Sequence, residues 1–175
     1  MSKLLTEKEA LNLLFKTGCS RNVIAHCKKV SEVAVEIARK LQKNNVKVDL
    51  ELVKIGALLH DIGRAKTHTV HHAIIGAEIA RKEGLPESIV RIIERHVGGG
   101  ITAKEAKKLH WPVKDYIPET IEEKIVCYAD KLVEGCRKVS VEVTLKELSR
   151  ELGENHPAIE RVKKLHYEIS SLLRE

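Results

Sequence analysis

Apolar residues recur every three or four positions along most of this chain, and sustained alternation of apolar and polar residues is almost absent. This period is typical of helices that bury one face. Capping residues, glycines and prolines divide the pattern into segments of helical length. We therefore predict an all-α bundle of about seven or eight helices and no sheet. The predicted segments are Thr6 to Gly18, Arg21 to Asn44, Asp49 to His60, His71 to Gly84, Pro86 to Gly98, Glu119 to Cys136, Thr144 to Leu152 and Pro157 to Leu173. A short further helix is expected after Thr102.

The length of the chain, 175 residues, is enough to bury one core, and no repeat, linker or low-complexity tract divides it. We predict a single domain over residues 1–175, with its characteristic motifs within 19–137 and a helical C-terminal extension over 140–175. No apolar run approaches the roughly 18 residues of a membrane span, and charges occupy the start of the chain where a signal peptide would be apolar. The four cysteines form no CxxC pair, so we expect reduced thiols in a cytoplasmic protein.

The charge and composition are compatible with an anionic partner. A net charge of +6 and a pI near 9.1 fit a surface that tolerates nucleotides, nucleic acid or phosphorylated metabolites, although a generally Lys/Glu-rich surface explains them equally well. Only five aromatic residues are present, with no recognisable nucleic-acid module, which disfavours nucleic acid. The glycines at 98–100 are not followed by Lys-Ser or Lys-Thr, so the phosphate-binding loop of nucleoside triphosphatases is absent. The 32% charged residues and single Met are typical of heat-adapted proteins.

Four predicted helices carry a histidine on their apolar face, where a core residue is expected. These are His26, His60, His72 and His96. One such histidine is usually a core imidazole bonded to a carbonyl oxygen. Four together favour a divalent cation, because a cation satisfies several neutral imidazoles at once. His71 is the rival of His72, but its face would include Glu78, so we prefer His72. The remaining histidines are interpreted as surface or capping residues: His68, His110, His156 and His166.

Two aspartates can join these histidines. Asp130 is flanked by valines at helical spacing, and a carboxylate on such a face must be paired or bound to a metal. Asp61 directly follows His60, and neighbouring side chains on a helix diverge by about 100°. Both can therefore reach one ion only at a helix end or in the angle between them, and Gly63 fits a helix that ends there.

Three short motifs resemble the HD superfamily, which is named after an adjacent His and Asp. They are His26, the run LLHDIG over 58–63, and Asp130 within ADK. The runs HHAIIGAEIA over 71–80, RHVGGG over 95–100 and YADKLVEGCR over 128–137 resemble the dinuclear branch, particularly the bacterial diadenosine tetraphosphatase proteins and small archaeal HD proteins. They are more distantly similar to cyclic-dinucleotide phosphodiesterases. That last group has a lysine at the position of Arg64 and a GYP segment that this chain lacks, which disfavours cyclic-dinucleotide cleavage.

The resemblance implies a helical HD-type bundle with one or two divalent transition-metal ions, which in this superfamily are iron, manganese, cobalt, nickel or zinc. The mixed nitrogen and oxygen donors do not choose among these metals. The implied ligands of the first ion are His26, His60, Asp61 and Asp130. Those of the second are His72, His96 and a bridging Asp61.

The activity implied by the resemblance is hydrolysis of a nucleotide, or of a related phosphoester or phosphoanhydride, by metal-bound hydroxide. Asp61 would position the metal and the nucleophile, and Arg64 would offer a planar fork to a phosphate oxygen. Candidate substrate contacts are Lys66, His71, Lys131 and Arg137. A mixed-valence di-iron oxygenase and a non-catalytic, metal-stabilised nucleotide-binding module stay open as alternatives. The expected partner is a small phosphorylated substrate rather than a membrane, and a homodimer is left open.

Overall fold

The computed structural model describes residues 3–174, and this part of the chain is mostly helical. Its α-helices are α1 (Glu7–Thr17), α2 (Arg21–Lys43), α3 (Leu50–Leu59), α4 (His72–Lys82), α5 (Glu87–Glu94), α6 (Ala103–Lys108), α7 (Ile121–Lys131), α8 (Val141–Leu152) and α9 (Pro157–Leu173). Two short 3-10 helices cover Ile62–Ala65 and Val97–Gly99. The prediction of an all-α protein is confirmed, with nine α-helices in residues 3–174. None of them combines the length and apolar character needed to cross a membrane.

The expectation of no sheet is wrong at one place. The helix predicted to reach Cys136 ends at Lys131, and the chain then forms an antiparallel pair of strands, β1 (Val133–Glu134) and β2 (Arg137–Lys138). Gly135 lies in the two-residue turn between the strands with φ +59. Such turns need residues with positive φ, which glycine adopts without steric cost.

Two other helix boundaries also differ from the prediction. The helix α5 ends at Glu94 rather than near Gly98, and a 3-10 turn follows it. Gly98 and Gly99 in that turn have φ +56 and +73, a left-handed conformation that cannot continue a right-handed helix. The helix α8 begins at Val141, three residues before the predicted Thr144. Its first turn adds the buried Val141 to the core, which the apolar spacing alone did not indicate.

The helix α3 lies between two apolar clusters and is buried on most of its surface. Val53 and Ala57 pack in one cluster with side chains of α2, α7 and α9. Ile55, Leu58 and Leu59 pack in the other with side chains of α1 and α5. The residues that follow α3 therefore emerge in the interior of the molecule. The proposed division into core motifs and C-terminal extension stays a prediction.

Two glycines allow neighbouring helices to approach α3 and the 3-10 turn after it very closely. A Cβ at Gly56 would lie 2.5 Å from Ile92 Cδ1, and one at Gly63 would lie 1.9 Å from the carbonyl oxygen of His72. Any side chain at Gly63 would displace the start of α4. Because these two glycines have no side chain, α5 can pack closely against α3 and the first turn of α4 can pack closely against the 3-10 turn that follows α3.

Candidate metal centre

The side chains of the six predicted metal ligands lie together in the interior. They are His26, His60, Asp61, His72, His96 and Asp130. His26 lies in the second turn of α2, and His60 and Asp61 directly follow α3. His72 is the first residue of α4, His96 lies just after α5, and Asp130 lies in the last turn of α7. Four of these side chains are buried, and those of His26 and Asp130 are each 17% exposed. The cluster is therefore accessible from the side of these two residues.

Each of the four imidazoles is held by a hydrogen bond from Nδ1 to a backbone carbonyl oxygen. In three of them the acceptor lies three residues earlier in the chain: Ala57 for His60 at 2.6 Å, Thr69 for His72 at 2.7 Å and Ile93 for His96 at 2.7 Å. His26 donates to Gly135, in the β1–β2 turn, at 2.7 Å. Because a carbonyl oxygen only accepts, a proton lies on Nδ1, and Nε2 of each ring faces the interior, where it can offer its lone pair to a cation. This arrangement is typical of metal-binding histidines.

The carboxylate of Asp61 faces two pairs of imidazoles, one with each oxygen. Its Oδ2 lies 3.7 Å from Nε2 of His26 and 3.6 Å from Nε2 of His60. Its Oδ1 lies 3.1 Å from Nε2 of His72 and 3.3 Å from Nε2 of His96. One carboxylate is thus shared between two sets of nitrogen donors.

Asp130 completes the first of these sets. Its Oδ1 lies 3.0 Å from Nε2 of His26 and 3.4 Å from Nε2 of His60. We call His26, His60, Asp130 and Asp61 Oδ2 the first group, and His72, His96 and Asp61 Oδ1 the second group. Donor atoms of His26, His60 and Asp130 all lie within 4.8 Å of one another, and so do those of His60, Asp61 and His96. These distances suit the binding of a metal ion.

The surroundings of three imidazole nitrogens in this cluster favour a bound cation. His60 Nε2 is buried and has no hydrogen-bond partner within residues 3–174. Nε2 of His72 and Nε2 of His96 lie 3.0 Å apart, so their lone pairs face each other unless a proton or a cation lies between them. Imidazole nitrogens together with carboxylate oxygens form a donor set that suits first-row transition metals. The residues present therefore fit one or two such ions.

Both carboxyl groups stay ionised in spite of their surroundings. Burial would raise the pKa of Asp61 and Asp130, but the charge of His60 lowers the first pKa and the ammonium of Lys131 lowers the second, well below the usual range. Burial lowers the pKa of His96 to about 4, so this ring is neutral near pH 7. Burial also opposes protonation of His60, yet Asp61 and Asp130 outweigh it and raise that pKa. In the absence of metal a proton on His60 partly balances the two carboxylates, and a cation would displace it.

A cleft of about 500 Å³ opens onto the first group. Its walls are formed by Ser20, Asn22, Val23, His26, Asp61, Arg64 and His68. Arg64 donates from Nε to Asp61 Oδ2 at 2.9 Å and from Nη1 to the carbonyl oxygen of His68 at 3.3 Å. The Arg64 side chain is 31% exposed. Arg64 and Asp61 both line the cleft, so the guanidinium can reach an anion bound there.

Lys131 contacts one residue of each group. Its ammonium is buried and donates to Asp130 Oδ2 at 2.7 Å and to the carbonyl oxygen of His96 at 3.0 Å. The Cys127 thiol donates to the same carbonyl oxygen at 3.3 Å, and burial raises its pKa to about 11, so it stays protonated. Lys131 therefore fixes the rotamer of a carboxylate in the first group and the backbone of an imidazole in the second.

The sequence model of the HD domain family matches residues 23–134. This chain belongs to the HD domain family. The match covers more than half of the chain and includes all six predicted ligands. The HD domain of the L. monocytogenes phosphodiesterase PgpH, solved in complex with cyclic-di-AMP, has the same fold, with a TM-score of 0.56 at 18% identity. The superposition covers 95% of this chain and 98% of that one.

Relatives of this HD domain occur as a protein of similar length and as parts of longer enzymes. An uncharacterized protein of Methanocaldococcus jannaschii is 47% identical, over 95% of this chain and 98% of that protein. The tRNA (cytidine(56)-2'-O)-methyltransferase of Picrophilus torridus is 45% identical, over 95% of this chain but 47% of the enzyme. Ribonuclease Y of Acidothermus cellulolyticus is 34% identical, over 86% of this chain and 28% of the enzyme. The chain thus spans less than half the length of these two enzymes.

The other predicted substrate contacts of the HD domain lie outside the cleft walls. Lys66 is exposed just after the 3-10 helix that follows Asp61, and Arg137 is exposed on β2. His71 accepts a hydrogen bond at Nδ1 from Trp111 Nε1 at 2.8 Å. Their roles as substrate contacts stay predictions. In contrast, sequence reasoning missed His68, which lines the cleft, although its place between two metal-binding motifs was a usable signal.

We expect Lys131→Met to weaken metal binding by about 10- to 100-fold, the usual effect of removing an outer hydrogen-bond partner of a metal ligand. The variant frees Asp130 Oδ2 and leaves the carbonyl oxygen of His96 without the ammonium donor. Metal titration of the metal-free protein measures the change. Lys131→Arg, which keeps a charged donor, should recover most of the affinity. An unchanged affinity in Lys131→Met would contradict the positioning role.

Proposed function

We propose that this HD domain is a metal-dependent phosphohydrolase that acts on a nucleotide or on a related phosphoester or phosphoanhydride. The observation that carries the proposal is the carboxylate of Asp61, with one oxygen toward each pair of imidazoles. Divalent cations held there would lower the pKa of a bound water and neutralise phosphate oxygens. The adjoining cleft presents Arg64 to the same region.

Each residue of the site has a distinct task in this proposal. Asp61 would hold both groups in register and orient the attacking water through its carboxylate. Arg64 would bind a non-bridging phosphate oxygen with guanidinium nitrogens that the Asp61 contact does not use, since its planar fork matches phosphate. Ser20 and Asn22 in the cleft wall would donate hydrogen bonds to the substrate. Lys66 and Arg137, exposed outside the cleft walls, would add to the positive charge that attracts an anionic substrate.

The named relatives support a substrate with phosphate linkages. Ribonuclease Y and the tRNA methyltransferase are, by their names, enzymes of RNA, and PgpH is a phosphodiesterase solved with cyclic-di-AMP. A nucleotide is the substrate class that we propose for this chain. Short RNA and cyclic dinucleotides belong in the same test, because either would be a more specific form of the same chemistry.

The test is phosphate or nucleotide release by metal-free protein supplied separately with manganese, iron, cobalt, nickel, zinc or magnesium. The substrates are mononucleotides, dinucleoside polyphosphates, phosphomonoesters, cyclic dinucleotides and short RNA. We expect turnover with at least one transition metal and less with magnesium, because imidazole-rich sites favour the former. Asp61→Asn protein purified in parallel excludes a contaminating phosphatase. Silence with every metal would overturn the proposal, and substrate oxidation with oxygen uptake by the iron form would instead favour the oxygenase.

A further inference from the structure

The cleft contains one histidine whose side chain has no structural task. His26 and Asp61 belong to the metal groups, and Ser20 caps α2 by accepting a hydrogen bond from a backbone N–H. Arg64 carries a guanidinium, a group that donates hydrogen bonds and does not serve as a proton donor in catalysis. His68 is the remaining side chain of these walls whose functional group, an imidazole, can both give and take a proton. Its imidazole is exposed and makes no hydrogen bond or ion pair within residues 3–174.

The backbone of His68, unlike its ring, is held in place. Arg64 donates to Asp61 with one nitrogen and to the His68 carbonyl oxygen with another, so a single guanidinium connects the carboxylate to this loop. The hydroxyl of Thr67 accepts from the backbone N–H of Thr69 at 3.2 Å and lies 2.9 Å from the Thr69 hydroxyl. The loop thus keeps the imidazole at the cleft while leaving it free to meet a ligand.

The four imidazoles of the metal groups differ from His68 in one decisive respect. Each of them is anchored through Nδ1 to a carbonyl oxygen, which fixes the ring and directs Nε2 toward a cation. The ring of His68 has no such anchor and lies at the wall of the cleft. A ring in that state suits proton transfer to a bound substrate better than metal binding.

We propose that His68 is the general acid of the hydrolysis, an inference that rests on the proposed phosphohydrolase function. As the oxygen of the attacking water bonds to phosphorus, the bond from phosphorus to the leaving oxygen breaks. The His68 imidazolium gives its proton to that oxygen, which departs as an alcohol. The attacking water releases one proton to solvent, and the neutral imidazole takes one proton from solvent. The cycle therefore balances without any further reactant.

The test compares leaving groups in His68→Gln, which keeps the carbonyl that Arg64 contacts. Matched substrates are thymidine 5'-monophosphate and p-nitrophenyl phosphate as monoesters, and thymidylyl-thymidine and the p-nitrophenyl ester of thymidine 5'-monophosphate as diesters. An alkoxide needs a proton to leave, whereas p-nitrophenolate does not. We expect kcat to fall by about 100-fold or more for the nucleoside leaving group and by less than about 3-fold for p-nitrophenol.

His110→Asn is the matched control. His110 is another exposed loop histidine outside the cleft walls, with φ +58, a conformation that Asn tolerates. Both rates should be unchanged in this variant, and metal content should equal that of the wild type in both variants. An equal loss on the two leaving groups in His68→Gln, or no loss on the nucleoside ester, overturns the inference alone. A wild type that hydrolyses other substrates of the panel but none of these four esters also overturns the inference alone, because the inference requires an alcohol as the leaving group. Silence on every substrate of the full panel with every metal overturns the proposed function and the inference with it.

Discussion

In Asp61→Asn we expect metal affinity and phosphate release to fall together by more than about 100-fold, beyond the effect of an outer hydrogen-bond partner. The amide is nearly the same size as the carboxylate, but it carries no charge and only one of its two polar atoms accepts. Since Asp61 faces both pairs of imidazoles, the change should reach the first and the second group at once. Metal content by elemental analysis and kcat on the best substrate measure the two effects.

His166→Ala is the control for that experiment. His166 lies on α9 and accepts or donates one hydrogen bond with the Tyr128 hydroxyl at 2.7 Å, outside both groups. Its loss should cost about 1 kcal/mol of stability and leave metal content and turnover unchanged. Helical content by circular dichroism should stay at the wild-type value in both variants. Asp61→Asn protein that binds as much metal as the wild type and turns over normally would show that the carboxylate does not serve the two groups.

Removal of metal by a chelator should lower the melting temperature and abolish turnover. Binding of one ion at about 1,000 times its dissociation constant contributes about 4 kcal/mol to stability, which corresponds to roughly 10 °C for a protein of this size. Without the ion, two ionised carboxylates remain inside the fold, balanced by Lys131, by Arg64 and by a proton on His60. Thermal melts with and without chelator measure the difference.

Addition of metal to the stripped protein should restore the melting temperature and the turnover over the same range of metal concentration. The shared range is expected because both effects depend on occupancy of the same donors. Recovery of stability at a concentration that leaves turnover absent would assign the two effects to separate sites. Equal melting temperatures with and without chelator, together with full activity, would refute a metal requirement.

The apolar period of this sequence, together with its capping residues, predicted the helices that position the six candidate metal ligands. Neighbouring side chains diverge on a helix, so we expected His60 and Asp61 to reach one ion only at a helix end or in the angle between them. The structure places both residues directly after α3. The choice of His72 over His71 followed from which face was apolar, and His72 is the one that contacts Asp61. Side-chain spacing encodes this information because each helix buries one face.

The rest of the site depends on contacts between distant segments, which spacing does not encode. Gly135 accepts from His26 only because β1 and β2 reverse the chain beside α2, and the sequence there was read as helix. Lys131 was interpreted as a candidate substrate contact because it lies near the HD motifs in the sequence, but in the structure its side chain is buried and pairs with the carboxylate of Asp130 on its own helix. His68 was read as a surface residue, since nothing local shows which cavity a loop borders.

Three of the four anchored imidazoles are oriented by the segment that carries them, because each donates a hydrogen bond to the carbonyl oxygen three residues earlier. The orientation of these three rings is therefore set by one local turn of the chain. It requires neither a bound ion nor a contact with a distant helix. These imidazoles are therefore already oriented before a metal ion binds. We expect the rate of metal binding to be set by the entry of the hydrated ion through the cleft and by its loss of water ligands. No slow rearrangement of the backbone should be needed.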